Sequence, residues 1–265
     1  MEETKLRLEN ITQWSANRSH KTPLLFVHGM WHGAWCWDEF FLPYFADHGY
    51  QVNALSLRGH AGSEGKIRGN TIADYVSDVR QVAKTFDTPP VIIGHSMGGF
   101  LTQKYLETYQ APAAVLLASN PYFGLWPTFL RLSFQRPLTL AKVTAQLRLY
   151  PVIETIEAAR WTLFSMDMPD EQVAKYHAKM NDESFRMFLD LLGLNLANPK
   201  KVKTPLLILG AEKDNAITPD QVHATARGYG LQAEIFPNMA HDMMLEAGWE
   251  SVAERILNWL NEKGI

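Results

Sequence analysis

The chain has a single cysteine, Cys36, in 265 residues. That excludes an intrachain disulfide, and a lone thiol fits a reducing cytoplasm, the location expected here. No apolar run approaches the ~20 residues a helix needs to cross a bilayer, so no integral membrane segment is expected. The opening stretch, Met1 to Lys5, is polar and lacks the apolar core of a signal peptide. Basic residues are not in excess: 25 Lys and Arg face 28 Asp and Glu, for a net charge of −3. With no basic stripe, no nucleic-acid partner is expected. The chain also lacks His-Glu-x-x-His, paired cysteines and carboxylates at ligand spacing, so no metal is expected. It has no Gly-x-Gly-x-x-Gly and no P-loop, so no nucleotide or other cofactor is expected. Internal repeats and low-complexity segments are missing too. What remains is ordinary for a globular chain, 46% hydrophobic and 20% charged. Its length suits one large domain with a sizeable core.

Strand-like runs recur at about 24–28, 51–57, 91–95, 113–119, 205–210 and 233–237, with an edge hairpin strand at 5–15. Between them lie helical patterns at about 36–47, 72–86, 97–109, 219–228 and 248–262. Alternation of this kind predicts an α/β fold, a mostly parallel sheet covered by helices on both faces. It breaks from Asn120 to Pro199, where helical segments are expected at Leu138 to Leu149, Val152 to Phe164, Glu171 to Met180 and Glu183 to Leu194. The reading is a core of residues 1–120 and 199–265, with a helical lid of residues 121–198 inserted before the last two strands. The lid is rich in large apolar side chains, which suggests an apolar substrate pocket beneath it. Trp126, Trp161 and Phe164 are its candidate lining residues, with Trp31 and His32 from the core.

The segment Val91-Ile92-Ile93-Gly94-His95-Ser96-Met97-Gly98-Gly99 is a β-branched run ending in Gly-x-Ser-x-Gly, followed by a helical pattern. A strand that turns sharply into a helix presents its serine at the tip of a strained elbow. Ser96 is the candidate nucleophile, and the Met97 N–H at the helix start is a candidate oxyanion donor. The loop His28-Gly29-Met30-Trp31-His32-Gly33 follows a buried strand, where the second donor belongs, and the Met30 N–H is assigned to it.

A serine hydroxyl needs a base, and the base needs an orienting partner. Asp214 follows the strand Pro205 to Leu209, and His241 follows the last short strand. The order Ser96, Asp214, His241 is that of a nucleophile-elbow hydrolase. His95 adjoins the serine on the elbow and should point away from it. His28 and His60 read as partners of loop backbone, and His32 can border the cleft. Glu212 and Asp242 are alternative acids, but a carboxylate next to His241 in sequence reaches that imidazole poorly.

Together these motifs resemble the α/β-hydrolase superfamily, of the cofactor-free esterase and lipase type. The stretch His28 to Trp37 is similar to plant methylesterases and hydroxynitrile lyases. Leu57-Arg58-Gly59-His60-Ala61-Gly62-Ser63 resembles a loop of monoglyceride-lipase-like and lysophospholipase-like members, with Ser56 where those have Asp. The resemblance implies a serine hydrolase that cleaves a small-molecule carboxylic ester with an apolar acyl or alcohol group through an acyl-enzyme. A thioesterase or lactonase would use the same machinery. Hydroxynitrile lyases usually have Thr at the position of Gly29 and Lys after the triad histidine, where this chain has Asp242. A non-catalytic receptor of this fold is a further alternative.

Overall fold

Runs of Val, Ile, Leu and Ala, bounded by turn residues, build one seven-stranded sheet. The computed structural model describes residues 6–14 and 19–265. The polar opening segment and both ends of the expected 5–15 strand lie outside them. The strands are β1 (Asn10–Gln13), β2 (Leu24–Val27), β3 (Val52–Leu55), β4 (Val91–His95), β5 (Ala114–Leu117), β6 (Leu206–Ala211) and β7 (Glu234–Phe236). Their order across the sheet is β1-β3-β2-β4-β5-β6-β7. All neighbours run parallel except β1 against β3. Every residue of β2 to β6 is buried. This explains why these strands read as continuous apolar runs and not as alternating ones. The expected edge strand is present, but it is not half of a hairpin. Both edges of β2 are taken by β3 and β4, so β1 pairs with β3 instead.

The helices are α1 (Trp35–Asp38), α2 (Phe41–Asp47), α3 (Ile72–Ala83), α4 (Met97–Leu106), α5 (Trp126–Gln135), α6 (Pro137–Gln146), α7 (Ile156–Leu163), α8 (Asp170–His177), α9 (Phe185–Leu189), α10 (Pro219–Gly228) and α11 (Trp249–Glu262). The expected single helix at 36–47 is two, α1 and α2. Pro43 has no N–H to bond back to Glu39, so the first helix does not run on through this point. A capping box between Thr71 and Asp74 starts α3. Among the described residues, no helix is long and apolar enough to cross a membrane.

Between β5 and β6 the chain forms α5 to α9 and no strand. Helix α5 falls outside the expected segments. Its Trp, Phe, Thr and Ser residues are only middling helix formers. Tertiary contacts support it: Thr128 Oγ1 donates to the Ala216 carbonyl at 3.0 Å, and Arg131 donates to the Asn215 carbonyl at 2.6 Å. The helix expected at 183–194 is α9 followed by a π turn, Asp190–Leu194, that ends around Gly193 at φ 145°. The turn is held to the core by Asp190, whose carboxylate accepts from the Ile72 N–H at 3.0 Å.

Several further hydrogen bonds clamp this helical segment to the core. The Asn181 N–H donates to the Trp31 carbonyl at 2.9 Å. The buried Glu183 carboxylate accepts from Tyr75 OH at 2.7 Å and pairs with His60 Nε2 at 3.1 Å. His60 is therefore more than a partner of loop backbone. It ties the core to the helical segment.

Helix α4 crosses so close to the end of β2 that residue 98 has no room for a side chain. A Cβ at Gly98 would land on the carbonyls of Val27 and His28. One at Gly94 would land on the Gly98 carbonyl and on Thr102. We predict that Gly98→Ala lowers stability by about 1–3 kcal/mol or more, because the obstacles are backbone atoms that cannot rotate away. Chemical denaturation checks this, and an unchanged midpoint and slope would refute the close approach.

Candidate active site

The elbow sits where β4 turns into α4. Ser96 adopts φ 51° and ψ −116°, a conformation that L-residues rarely occupy. Hydrogen bonds around it hold the strain: the Ser96 N–H donates to the Leu117 carbonyl at 3.0 Å, and the Ser96 carbonyl accepts from Asn120 at 3.0 Å and Phe100 at 3.2 Å. The turn leaves the hydroxyl in the wall of a cavity at the carboxyl ends of the parallel strands, where ligand sites of such sheets gather.

Two loops converge on that hydroxyl. The loop after β7 brings in His241, whose Nε2 lies 2.8 Å from Ser96 Oγ. The loop after β6 brings in Asp214, whose Oδ2 accepts from His241 Nδ1 at 2.7 Å. The other oxygen of Asp214 accepts from the N–H groups of Ala216 and Ile217 at 2.7 and 2.8 Å, which fixes the carboxylate. All three residues are buried. Burial pulls the His241 imidazole down, but the facing Asp214 carboxylate and its hydrogen bond outweigh that, and the pKa ends above the ordinary value.

Behind His241 lies a second buried polar layer. Asp242 turns away from its neighbour and pairs with His32 Nε2 at 2.9 Å, while His32 Nδ1 bonds the Met30 carbonyl at 2.6 Å. Burial pushes the Asp242 carboxyl up, but His32 and the other imidazoles around it bring it below its usual range. His95 Nε2 donates to the His241 carbonyl at 3.0 Å, so its side chain braces the histidine loop and not the serine. Burial drives the His95 pKa down to about 3, which keeps this imidazole neutral. His28 does bond loop backbone, through the Gly29 carbonyl at 2.7 Å and the Leu57 N–H at 3.0 Å. His95, His241 and Asp242 bring ligand-type atoms within 4.8 Å of one another. Both His241 nitrogens already bond Asp214 and Ser96, so a cation there would have to displace those bonds.

The cavity beside Ser96 offers about 700 Å³ of space free of protein atoms, part of it open to solvent. Met30, Trp31 and Trp161 line it together with Ser96 and His241. The N–H groups of Met30 and Met97 donate to no other group among the described residues. Three expected lining residues do not face this space. Trp126 is 58% exposed on the outer side of α5. Phe164 is buried against Tyr176, with ring centroids 5.8 Å apart. His32 is enclosed by its bond to Asp242. Phe188 of α9, one of the lid's large apolar residues, is in the wall as well, whereas the sequence reading overlooked Leu132, Leu140 and Val143 of α5 and α6, and Asn120 after β5. The helical spacing of Leu140 and Val143 is a signal that could have found the first group. Nothing in the local sequence marks Asn120.

Comparison with known proteins gives the fold and the family. A monoacylglycerol lipase from Mycolicibacterium smegmatis is 24% identical over 82% of this chain and 80% of its own length. An uncharacterised abhydrolase domain-containing protein from Dictyostelium discoideum is 23% identical over 96% of this chain, which spans only 28% of that relative's length. Among solved structures, an esterase from Thermogutta terrifontis superposes with a TM-score of 0.74 at 18% identity, covering 97% of this chain and 94% of the esterase. The model of the alpha/beta hydrolase family matches residues 24–255, and the chain belongs to that family.

Proposed function

We propose that the protein is a serine hydrolase that cleaves carboxylic esters through an acyl-enzyme. The observation that carries this reading is the chain of short hydrogen bonds from Ser96 Oγ to His241 Nε2 at 2.8 Å and from His241 Nδ1 to Asp214 Oδ2 at 2.7 Å. In this reading Asp214 holds His241 in the tautomer whose Nε2 accepts a proton. Ser96 Oγ attacks the acyl carbon as its proton passes to Nε2. The oxyanion takes hydrogen bonds from the Met30 and Met97 N–H groups, the latter at the positive end of α4. The imidazolium then protonates the departing alkoxide. A water enters, gives its proton to His241, and releases the acid from Ser96.

The cavity supports an apolar acyl or alcohol group. Its side walls are Leu132, Leu140, Val143 and Trp161, all from the segment between β5 and β6. On this reading residues 121–198 act as the lid that shapes the pocket, over a core of residues 1–120 and 199–265. A cytoplasmic location belongs to the same proposal.

Three expectations test it. Ser96→Ala should lower kcat by about 10³-fold or more with folding intact; a variant within tenfold of the parent would sink the assignment. The acid limb of the kcat/KM profile should have its midpoint above the ordinary imidazole value of about 6.5, because only neutral His241 can take the proton and its pKa is raised. Activity is thus lost as pH falls through that midpoint. Asp214→Asn should move the limb down and reduce kcat, and a limb indifferent to that change would refute the pairing. On a p-nitrophenyl series from acetate to palmitate, Trp161→Ala should shift the optimum to longer chains, whereas Trp126→Ala should leave it unchanged. Equal effects from the two would mean that the cavity is not the acyl site.

A further inference from the structure

Most polar groups in the cavity wall are already paired. Thr128 and Thr162 donate to the Ala216 and Ala158 carbonyls at 3.0 and 2.8 Å, and Asn215 Nδ2 donates to the Trp161 carbonyl at 2.9 Å. Two buried side-chain donors of wall residues have no acceptor among the described residues, Asn120 Nδ2 and Trp31 Nε1. An unpaired buried donor is costly, so each needs an explanation. Asn120 has the closer link to the chemistry. Its N–H donates to the Ser96 carbonyl at 3.0 Å, and its own carbonyl accepts from Gln103 Nε2 at 2.9 Å and Ser119 Oγ at 3.0 Å. The backbone is therefore pinned, and the carboxamide stands beside the elbow with Oδ1 3.4 Å from Ser96 Oγ. The hydroxyl has one proton, and His241 Nε2 at 2.8 Å takes it in preference to this longer contact. The Asn120 head is thus buried, 2% exposed and close to the attacking oxygen, yet its amide donor lacks an acceptor.

We infer that Asn120 Nδ2 is a specificity donor for substrates whose acyl group carries an accepting oxygen (hydroxyl, keto or ether) on its second or third carbon. This rests on the esterase reading above and adds the substrate class. The carbon attacked by Ser96 has four substituents in the tetrahedral intermediate. One is Oγ itself. The oxyanion belongs with the Met30 and Met97 amides, and the leaving oxygen belongs at His241 Nε2. The acyl chain is the substituent left for the remaining side of Oγ, where Asn120 stands. An amide this close to Oγ reaches only the first few acyl atoms. Farther out the wall is leucine, valine and tryptophan, so the rest of the chain is apolar. A site that buries an unpaired donor discriminates against an isostere lacking the acceptor, because the donor then stays unsatisfied.

The test pairs esters of equal size. kcat/KM is measured for p-nitrophenyl methoxyacetate against butyrate, and for 3-methoxypropionate against pentanoate, each divided by its rate of hydroxide-catalysed hydrolysis to remove intrinsic reactivity. The parent protein should favour at least one oxygenated ester by about tenfold, the worth of one hydrogen bond. Asn120→Leu should bring that ratio to about one, with the oxygenated esters losing about tenfold more than the unsubstituted ones. Asn120→Ala repeats the measurement should the leucine variant fold poorly. A ratio near one in the parent, a ratio kept in both variants, or a loss caused by Trp31→Phe instead would overturn the inference. So would an equal fall for all four esters, which would mean that Asn120 acts on Ser96 and not on substrate. Absence of Ser96-dependent turnover on every ester would instead sink the esterase reading itself.

Discussion

The fit of α4 against the end of β2 is the constraint on which the site depends. Only a residue without a Cβ can occupy position 98, because Val27 and His28 present backbone carbonyls there. That contact sets the angle at which the helix leaves the sheet, and so the point in space where Ser96 stands. The positive φ of Ser96 follows from it, since the chain must reverse within one residue between a central strand and a helix crossing it. The local strain persists because β4 is flanked on both sides by parallel strands whose residues are all buried.

The loops that meet the serine are held from behind. His241 is braced through its backbone by His95, and the adjacent Asp242 is locked to His32. His32 in turn bonds the carbonyl of Met30, whose N–H has no acceptor among the described residues. One buried polar layer thus links the histidine loop, the elbow and the loop after β2. Removing one partner from such a layer leaves a buried charge or donor uncompensated, which costs far more than the pair contributes while intact. Asp242 therefore belongs to the support of the site, and Asp214 faces the imidazole.

The segment between β5 and β6 gives the site its walls. Its outer face is apolar in places, with Trp126, Leu130 and Phe134 exposed, while its inner face supplies Leu132, Leu140, Val143 and Trp161 to the cavity. Aromatic content alone could not separate the two faces. Trp126 and Trp161 look alike in the sequence, and they differ only in which side of a helix meets the core.

The sequence by itself determined the alternating α/β architecture, the elbow at Ser96, and the order in which Asp214 and His241 follow it. Those features rest on local rules: hydrophobic runs of strand length, glycines where backbones nearly touch, and loops at strand ends. Tertiary structure alone decided what depends on contacts between distant segments. It paired β1 with β3, formed α5 from middling helix formers, turned Asp242 toward His32, and set Trp126 outside the cavity. It also brought Asn120 beside Ser96: its N–H donates to the Ser96 carbonyl, 24 positions away, and its own carbonyl accepts from Gln103, 17 positions away. No periodicity in one segment encodes such a meeting, because it depends on how the α4 crossover sets the ends of β4 and β5 side by side.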